Sequence, residues 1–263
     1  MQTTIFKPQA IFFDLDGTLI DSAPDLGAAA DKMRTDRGIP ALPLADYRPM
    51  AGAGARGMLK IGFGMTPEHA DYEVMREEFF QNYEKNLTER TYAFDGVGDM
   101  LRVLDEQGIV WGIVTNKSRR FTDPLARQMP LLHGAKAVVS GDTTPHAKPH
   151  PAPLFEAARI AAVEPANCWY VGDDKRDMDA AHAAGMLSVA AAWGYIGEHA
   201  LTNWGAAAVL HQPSELLEML NRALGKVAGQ VPGQVPGQIP GQVPGQPLFH
   251  VPSQQTTQVH KRA

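Results

Sequence analysis

The sequence predicts an α/β fold: a Rossmann-like parallel sheet with helices on both faces, joined to a small α-helical cap domain. Three observations predict it. Short apolar runs recur at 9–14, 109–114, 136–140, 168–172 and 187–192, with a shorter one at 206–210. Strands covered on both faces lose the in-out alternation and read as continuous apolar stretches. Between them lie segments with apolar residues at helical spacing, the alternation of a parallel sheet. Finally, about a hundred residues separate the first two runs, far more than a crossover helix needs.

The first run, Ala10-Ile11-Phe12-Phe13, leads straight into Asp14-Leu15-Asp16-Gly17-Thr18. In extended chain, residues two apart point to one side, so both carboxylates can reach one small volume. Each raises the cost of ionising the other. Chemistry at phosphorus gives such a pair a use, with one acid as nucleophile and the other as proton carrier. A strand end turning into solvent at Gly17 is the plainer alternative.

The long insertion is helical in pattern. Ser22-Ala23-Pro24 opens a helix carrying Leu26, Ala29, Ala30 and Met33 and stopping near Gly38. Thr66-Pro67-Glu68 opens another, with Tyr72, Phe79, Phe80, Tyr83 and Leu87 on its buried side. We expect a cap domain over residues 22–90 and a core formed by 1–21 and 91–225. Gly52-Ala53-Gly54-Ala55-Arg56-Gly57 spells a dinucleotide fingerprint but follows no strand. It reads better as a cap loop facing the site, with Arg56 a contact for the far end of a substrate.

In the core, Val97 to Gln107, Pro151 to Ala162, Met178 to Ala184 and Ser214 to Leu224 read as helices. In a parallel sheet the ligand sits beyond the carboxyl ends of the strands, so reactive residues should gather there. The second run exits into Thr115-Asn116-Lys117-Ser118, where a hydroxyl and free amides suit either a phosphate or a plain helix cap. After the third comes His146-Ala147-Lys148-Pro149-His150, whose lysine can neutralise a phosphoryl oxygen and nearby carboxylates. The two histidines lack a third ligand at useful spacing and read as loop residues. The fourth run exits into Gly172-Asp173-Asp174-Lys175-Arg176-Asp177. If that strand neighbours the first, Asp14, Asp16, Asp173 and Asp177 converge on a single Lys148. So many carboxylates around a phosphate require a divalent cation, and oxygen-only ligands point to Mg²⁺. Asp174 reads as supporting or solvated.

Composition sets outer bounds. The chain has 263 residues and a net charge of −5, which argues against nucleic acid or an anionic membrane as the main partner. The N-terminus lacks a secretion pattern, no window reads as a transmembrane helix, and a cytoplasmic location is expected. The single cysteine, Cys168, lies in a strand and excludes a disulfide framework. From Gly229 to Gln246, Val/Ile-Pro-Gly-Gln repeats with period four, so 226–263 is expected to be a disordered tail. Oligomeric state is not legible.

Taken in order, Asp14-Leu15-Asp16-Gly17-Thr18, Thr115, Lys148 and Gly172-Asp173 with Asp177 resemble the haloacid dehalogenase superfamily. The resemblance implies a phosphatase mechanism for a small-molecule phosphate ester, in which Asp14 attacks phosphorus and Asp16 serves as acid, then base. It further implies Mg²⁺ held by Asp14, the Asp16 backbone carbonyl and Asp173, with Asp177 supporting the metal shell. Thr115, Asn116 and Lys148 would hold phosphoryl oxygens. Asp16 favours phosphoryl transfer over dehalogenation, and its presence leaves open hydrolysis or a mutase reaction. A silent scaffold is disfavoured because every catalytic position is filled. Asp14 to Leu26 resembles the phosphoglycolate phosphatase group. Trp111 to Lys117, Val171 to Asp177, Trp193 to Ile196 and Asn203 to Gly205 equally resemble N-acetylmuramic acid 6-phosphate phosphatases.

Overall fold

The computed structural model describes residues 5–196 and 201–225. The repeat segment expected to be a disordered tail lies outside these residues. Six parallel strands form the main sheet: β1 (Ala10–Phe13), β4 (Val110–Val114), β5 (Val138–Val139), β6 (Cys168–Gly172), β7 (Leu187–Ala191) and β8 (Ala208–Leu210). Their spatial order is β5-β4-β1-β6-β7-β8, so β1 lies in the middle between β4 and β6. Phe13 pairs with Ile113 on one side and Val171 on the other. Three predicted strand exits therefore end side by side.

Helices α5 (Val97–Glu106), α6 (Arg119–Gln128), α7 (Ala152–Ala161), α8 (Lys175–Ala184) and α9 (Pro213–Ala223) connect and cover the strands. Alternation along β1 divides the core. Ile11 and Phe13 pack with Trp111, Trp169 and Leu216 on one face. Ala10 and Phe12 pack with Leu154, Cys168, Tyr170 and Ala181 on the other. Every residue of β1, β6 and β7 is buried, the reason these strands carry no polar alternation.

The insertion leaves and returns through a short antiparallel pair, β2 (Ile20–Asp21) and β3 (Tyr92–Ala93), which the sequence pattern did not reveal. Between them run α1 (Ala23–Thr35), α2 (Leu44–Tyr47), α3 (Gly54–Phe63) and α4 (Tyr72–Lys85). Pro24 stands in the first turn of α1, where a missing N–H costs nothing. The helix expected to open at Thr66 begins at Tyr72; turns occupy the intervening residues. Phe79 and Tyr83 point inward one turn apart, with rings stacked at 6.2 Å.

Among the described residues no helix is long and apolar enough to cross a membrane. Cys168 is buried, and burial pushes its thiol up to about 11, consistent with an inert core cysteine.

Candidate active site

The site is built where β1, β4 and β6 end. The Asp14 amide donates to the Val171 carbonyl (2.9 Å), carrying the β1–β6 ladder one residue past the strand. The chain then turns at Gly17, with φ of +88°. A side chain there would also run into the Asp173 carboxylate, so this turn admits only glycine. Gly172 performs the matching task on β6, because a Cβ at that position would strike Asp177.

Asp14, Asp173 and Asp177 each present a carboxylate oxygen, and these oxygens all lie within 4.8 Å of one another. Lys148 is the cation among them, with Nζ 3.0 Å from Asp14 Oδ1 and 2.7 Å from Asp177 Oδ1. The same ammonium donates to the Val114 carbonyl and the Tyr170 hydroxyl, at 2.8 and 2.7 Å. Asp173 Oδ1 accepts from Thr18 Oγ1 (2.8 Å) and Oδ2 from the Tyr195 amide (2.7 Å). Asp177 also closes a capping box with Asp174 at the start of α8, tying the helix terminus to the acidic cluster.

Two buried carboxylates and the partly buried Asp14 facing one ammonium leave an excess of negative charge. Burial pushes Asp14 up to about 7, helped by Asp177 and Asp16 and opposed by Lys148. Burial, then Asp14 and Asp177, drive Asp173 well above the usual carboxylate range. Lys148 is held above its ordinary value: burial opposes this and the two carboxylates outweigh it. A divalent cation is what such a donor set accommodates, since hard oxygen ligands and surplus negative charge are its preferred surroundings.

Asp16 departs from the sequence-based expectation. Its side chain does not converge on Lys148 with the others but has a lysine of its own. Lys117 Nζ lies 3.0 and 3.1 Å from the Asp16 oxygens, and Ser22 Oγ donates to Asp16 Oδ1 at 2.5 Å. Asp14 and Asp16 still line one cavity, but each has a different lysine, Lys148 and Lys117. Lys117 is buried, and its ammonium lies 4.8 Å from the centre of the Tyr83 ring. Burial works against its charge, yet Asp16 and Tyr83 outweigh it and hold Lys117 protonated. No functional role was read for Lys117 from sequence; its place beside Thr115 at a strand exit was the available signal.

The other expected residues are also accounted for. Thr115 is buried and its Oγ1 accepts from the Lys117 amide at 3.1 Å, turning the β4 exit toward the cavity. Asn116 has its side-chain amide engaged: Nδ2 donates to the Lys148 carbonyl and Oδ1 accepts from the Lys148 amide, both at 2.9 Å. It fixes the lysine's loop, which includes a cis Lys148–Pro149 bond. Asp174 is the α8 cap, bound by Arg176 through its guanidinium at 2.7 and 2.8 Å. Arg176 in turn donates to the Gly52 carbonyl at 2.9 Å, linking the β6 exit to the insertion. His146 and His150 sit exposed in their loop, rings 4.5 Å apart.

A cavity of about 330 Å³ opens over this cluster. Asp14, Lys148 and Asp173 form one end; Arg56, Tyr72 and Phe80 are among the insertion's contributions to its walls. The segment Gly52 to Arg56 lines it from the end of a 3-10 turn (Arg48–Ala53) into the start of α3. No strand comes directly before it, so the dinucleotide-like spelling has no dinucleotide-binding setting.

A parallel sheet with acidic side chains at neighbouring strand exits defines an α/β fold whose candidate site is lined by carboxylates. Comparison makes the class specific: a family described as haloacid dehalogenase-like hydrolase matches residues 11–191. The chain belongs to this family. It is 43% identical over 212 residues to a phosphoglycolate phosphatase of Xanthomonas campestris, covering 80% of this chain and 96% of that protein. It is also 36% identical over 217 residues to an N-acetylmuramic acid 6-phosphate phosphatase of Pseudomonas putida, covering 82% and 97%. Among solved structures, a predicted phosphoglycolate phosphatase from Haemophilus somnus superposes with a TM-score of 0.71 at 26% identity, covering 82% of this chain and 98% of that one.

Proposed function

We propose that this hydrolase is a Mg²⁺-dependent phosphatase of a small phosphomonoester, of the phosphoglycolate type, converting 2-phosphoglycolate to glycolate and phosphate. The observation that carries the reading is the Asp14, Asp173 and Asp177 cluster around Lys148 at one end of the cavity. The names of close relatives support it.

Both contacts described for Asp14 fall on Oδ1, which aligns the carboxylate as nucleophile. Its attack on phosphorus forms an aspartyl phosphate and expels an alkoxide that Asp16 protonates. Asp16 then takes a proton from the water that hydrolyses the acyl phosphate. Lys148 offsets charge on the transferring group, Thr115 offers its hydroxyl, and Asn116 acts through the Lys148 loop it holds. Asp14, Asp173 and the Asp16 backbone carbonyl are the ligands assigned to Mg²⁺, with Asp177 behind them. When bound, the cation neutralises phosphoryl oxygens and the crowded carboxylates. Residues 22–90 serve as a cap that excludes water, and Arg56 meets the non-reacting end of the substrate. A cytoplasmic site of action fits this reading.

A second substrate has an observation of its own. The cavity, with Tyr72, Phe79 and Phe80 on its walls, exceeds what a two-carbon acid fills and has space for an amino-sugar ring. N-acetylmuramic acid 6-phosphate is therefore the alternative. Phosphate release with Mg²⁺ from each compound tests both. A kcat/KM ratio above about a hundredfold, about 2.7 kcal/mol, identifies the substrate. Asp14→Asn should lower phosphate release by about ten-thousandfold or more. Residual turnover near wild type sinks the nucleophile assignment. An isomerised sugar phosphate in place of inorganic phosphate would indicate a mutase.

A further inference from the structure

The cavity wall beside Asp16 holds two donors that the mechanism leaves unused. Tyr83 lines the cavity from α4; its hydroxyl is fully buried and has no acceptor for its proton among the described residues. A buried O–H without an acceptor is costly, and such groups usually await a ligand or an ordered water. Next to it, Lys117 Nζ lies over the Tyr83 ring and against Asp16. An ammonium carries three donors in tetrahedral array, so pairing with one carboxylate need not exhaust it. Phe79, Phe80, Phe121 and Leu26 line the same cavity and lower the local dielectric, which strengthens any ion pair formed there.

We propose that Lys117 and Tyr83 together form the receptor for a carboxylate on the carbon that bears the phosphate ester, which makes O-phosphate esters of 2-hydroxy acids the preferred substrates. This inference rests on the phosphatase reading, because it is Asp16 that locates the ester oxygen. Lys117 sits 3.0 Å from the acid that protonates that oxygen. A carboxyl group one carbon beyond the ester oxygen falls within reach of the same ammonium. The Tyr83 hydroxyl then acquires the acceptor it lacks. A carboxylate farther along a sugar, several ångströms from the ester, would instead lie toward Arg56 and leave Tyr83 unsatisfied.

The test compares 2-phosphoglycolate with ethyl phosphate, which keeps the ester and lacks the carboxylate, in wild type, Tyr83→Phe and Lys117→Met. Tyr83→Phe retains the ring on which Lys117 rests, so the packing is preserved. Wild type should prefer 2-phosphoglycolate. That preference, as a ratio of kcat/KM values, should fall about tenfold in Tyr83→Phe, mainly through KM, and further in Lys117→Met. Equal losses on both compounds overturn the receptor and leave the phosphatase intact. So does a wild type that treats the two alike, or that releases phosphate only from N-acetylmuramic acid 6-phosphate. Absence of phosphate release from all three compounds defeats the phosphatase reading itself.

Discussion

The protein buries carboxylates in two neighbouring places and treats them oppositely. At the β2–β3 crossing, Asp21 is 1% exposed and each of its oxygens is matched: Tyr195 hydroxyl on Oδ1 at 2.7 Å, Arg48 and the Tyr92 hydroxyl on Oδ2 at 2.7 and 2.8 Å. These donors outweigh the cost of burial and hold Asp21 below the usual carboxylate range. Asp25 beside it accepts from the Arg90 and Thr91 amides and the Thr91 hydroxyl. At the strand exits, partly buried Asp14 and buried Asp173 share with Asp177 a single ammonium, Lys148, and both are pushed upward. The difference separates two uses of a buried acid. Asp173 also has a donor on each oxygen. What sets Asp21 apart is the guanidinium beside it and the lack of competing carboxylates among the described residues, and it holds the insertion to the sheet. The strand-exit acids, left with excess negative charge, form a group that could hold a cation.

The largest way to break this contrast is Asp173→Asn. It removes an anion from the crowded cluster while keeping an acceptor for Thr18 or the Tyr195 amide. Phosphate release should fall by about a thousandfold or more if Asp173 holds the metal. Saturating Mg²⁺ at about 100 times its Kd should stabilise wild type by about 2.7 kcal/mol, raising Tm by roughly 5–10 °C. The Asp173→Asn protein should lose most of that increment. A variant melting as far above its metal-free state as wild type would show that the cluster is not the metal site.

Asp21→Asn makes the opposite demand. Replacing this anion leaves Arg48 and two tyrosine hydroxyls facing a neutral amide, at a cost of about 3 kcal/mol measured by urea unfolding. The Mg²⁺-dependent rise in Tm should persist, because the lesion lies outside the cluster. Loss of the metal response in this variant would mean that the two regions are one cooperative unit.

Protonation gives a finer test with a definite sign. Asp14 titrates near 7 in the folded chain against 3.8 ordinarily, so between these values the folded state binds more protons than the unfolded one. Stability of the metal-free protein should therefore decline as pH rises through this window, by on the order of 1 kcal/mol or more. Asp21, displaced downward, contributes stability that is present above its unfolded pKa and lost as pH falls through its folded value. Melting in chelator at about pH 5.5 and 8 should show the first trend in wild type and a flatter profile in Asp14→Asn. An identical slope in both proteins removes Asp14 as its source.

The same contrast accounts for what the sequence could reveal. The sheet was legible because β1, β6 and β7 are buried throughout, and a short unbroken apolar run between helical segments is the mark of a strand covered on both faces. Asp14 and Asp173 were legible because each directly follows a strand, so the sheet itself brings them together. Asp177 follows in the first turn of α8, and Lys148 arrives on a loop held by Asn116. Asp16 was expected at Lys148 because nothing in its local spacing signals Lys117, which reaches it from the β4 exit, 101 residues along the chain. Tyr83 read only as a buried position on a helix face, since periodicity reports burial and cannot report a hydroxyl without an acceptor. The Asp21 cluster was invisible for a related reason. Its donors come from Arg48, Tyr92 and Tyr195, far apart in sequence and united by the short β2–β3 pair, which is too brief to leave a pattern.

The smallest effect belongs to Arg48, and it probes whether charge or donor number keeps Asp21 in place. Arg48 is 37% exposed, so solvent screens its attraction for Asp21 even though the distance is 2.7 Å. Removing it as Arg48→Ala leaves both tyrosine hydroxyls on the carboxylate. The loss should be about 1 kcal/mol or less by urea unfolding, well below that for Asp21→Asn. Two neutral hydroxyls would then suffice to hold a buried anion, whereas at the strand exits the cost of burial outweighs even the buried ammonium of Lys148 beside Asp14. If Arg48→Ala instead costs as much as Asp21→Asn, the guanidinium carries the cluster, and the balance of charge outranks the count of donors.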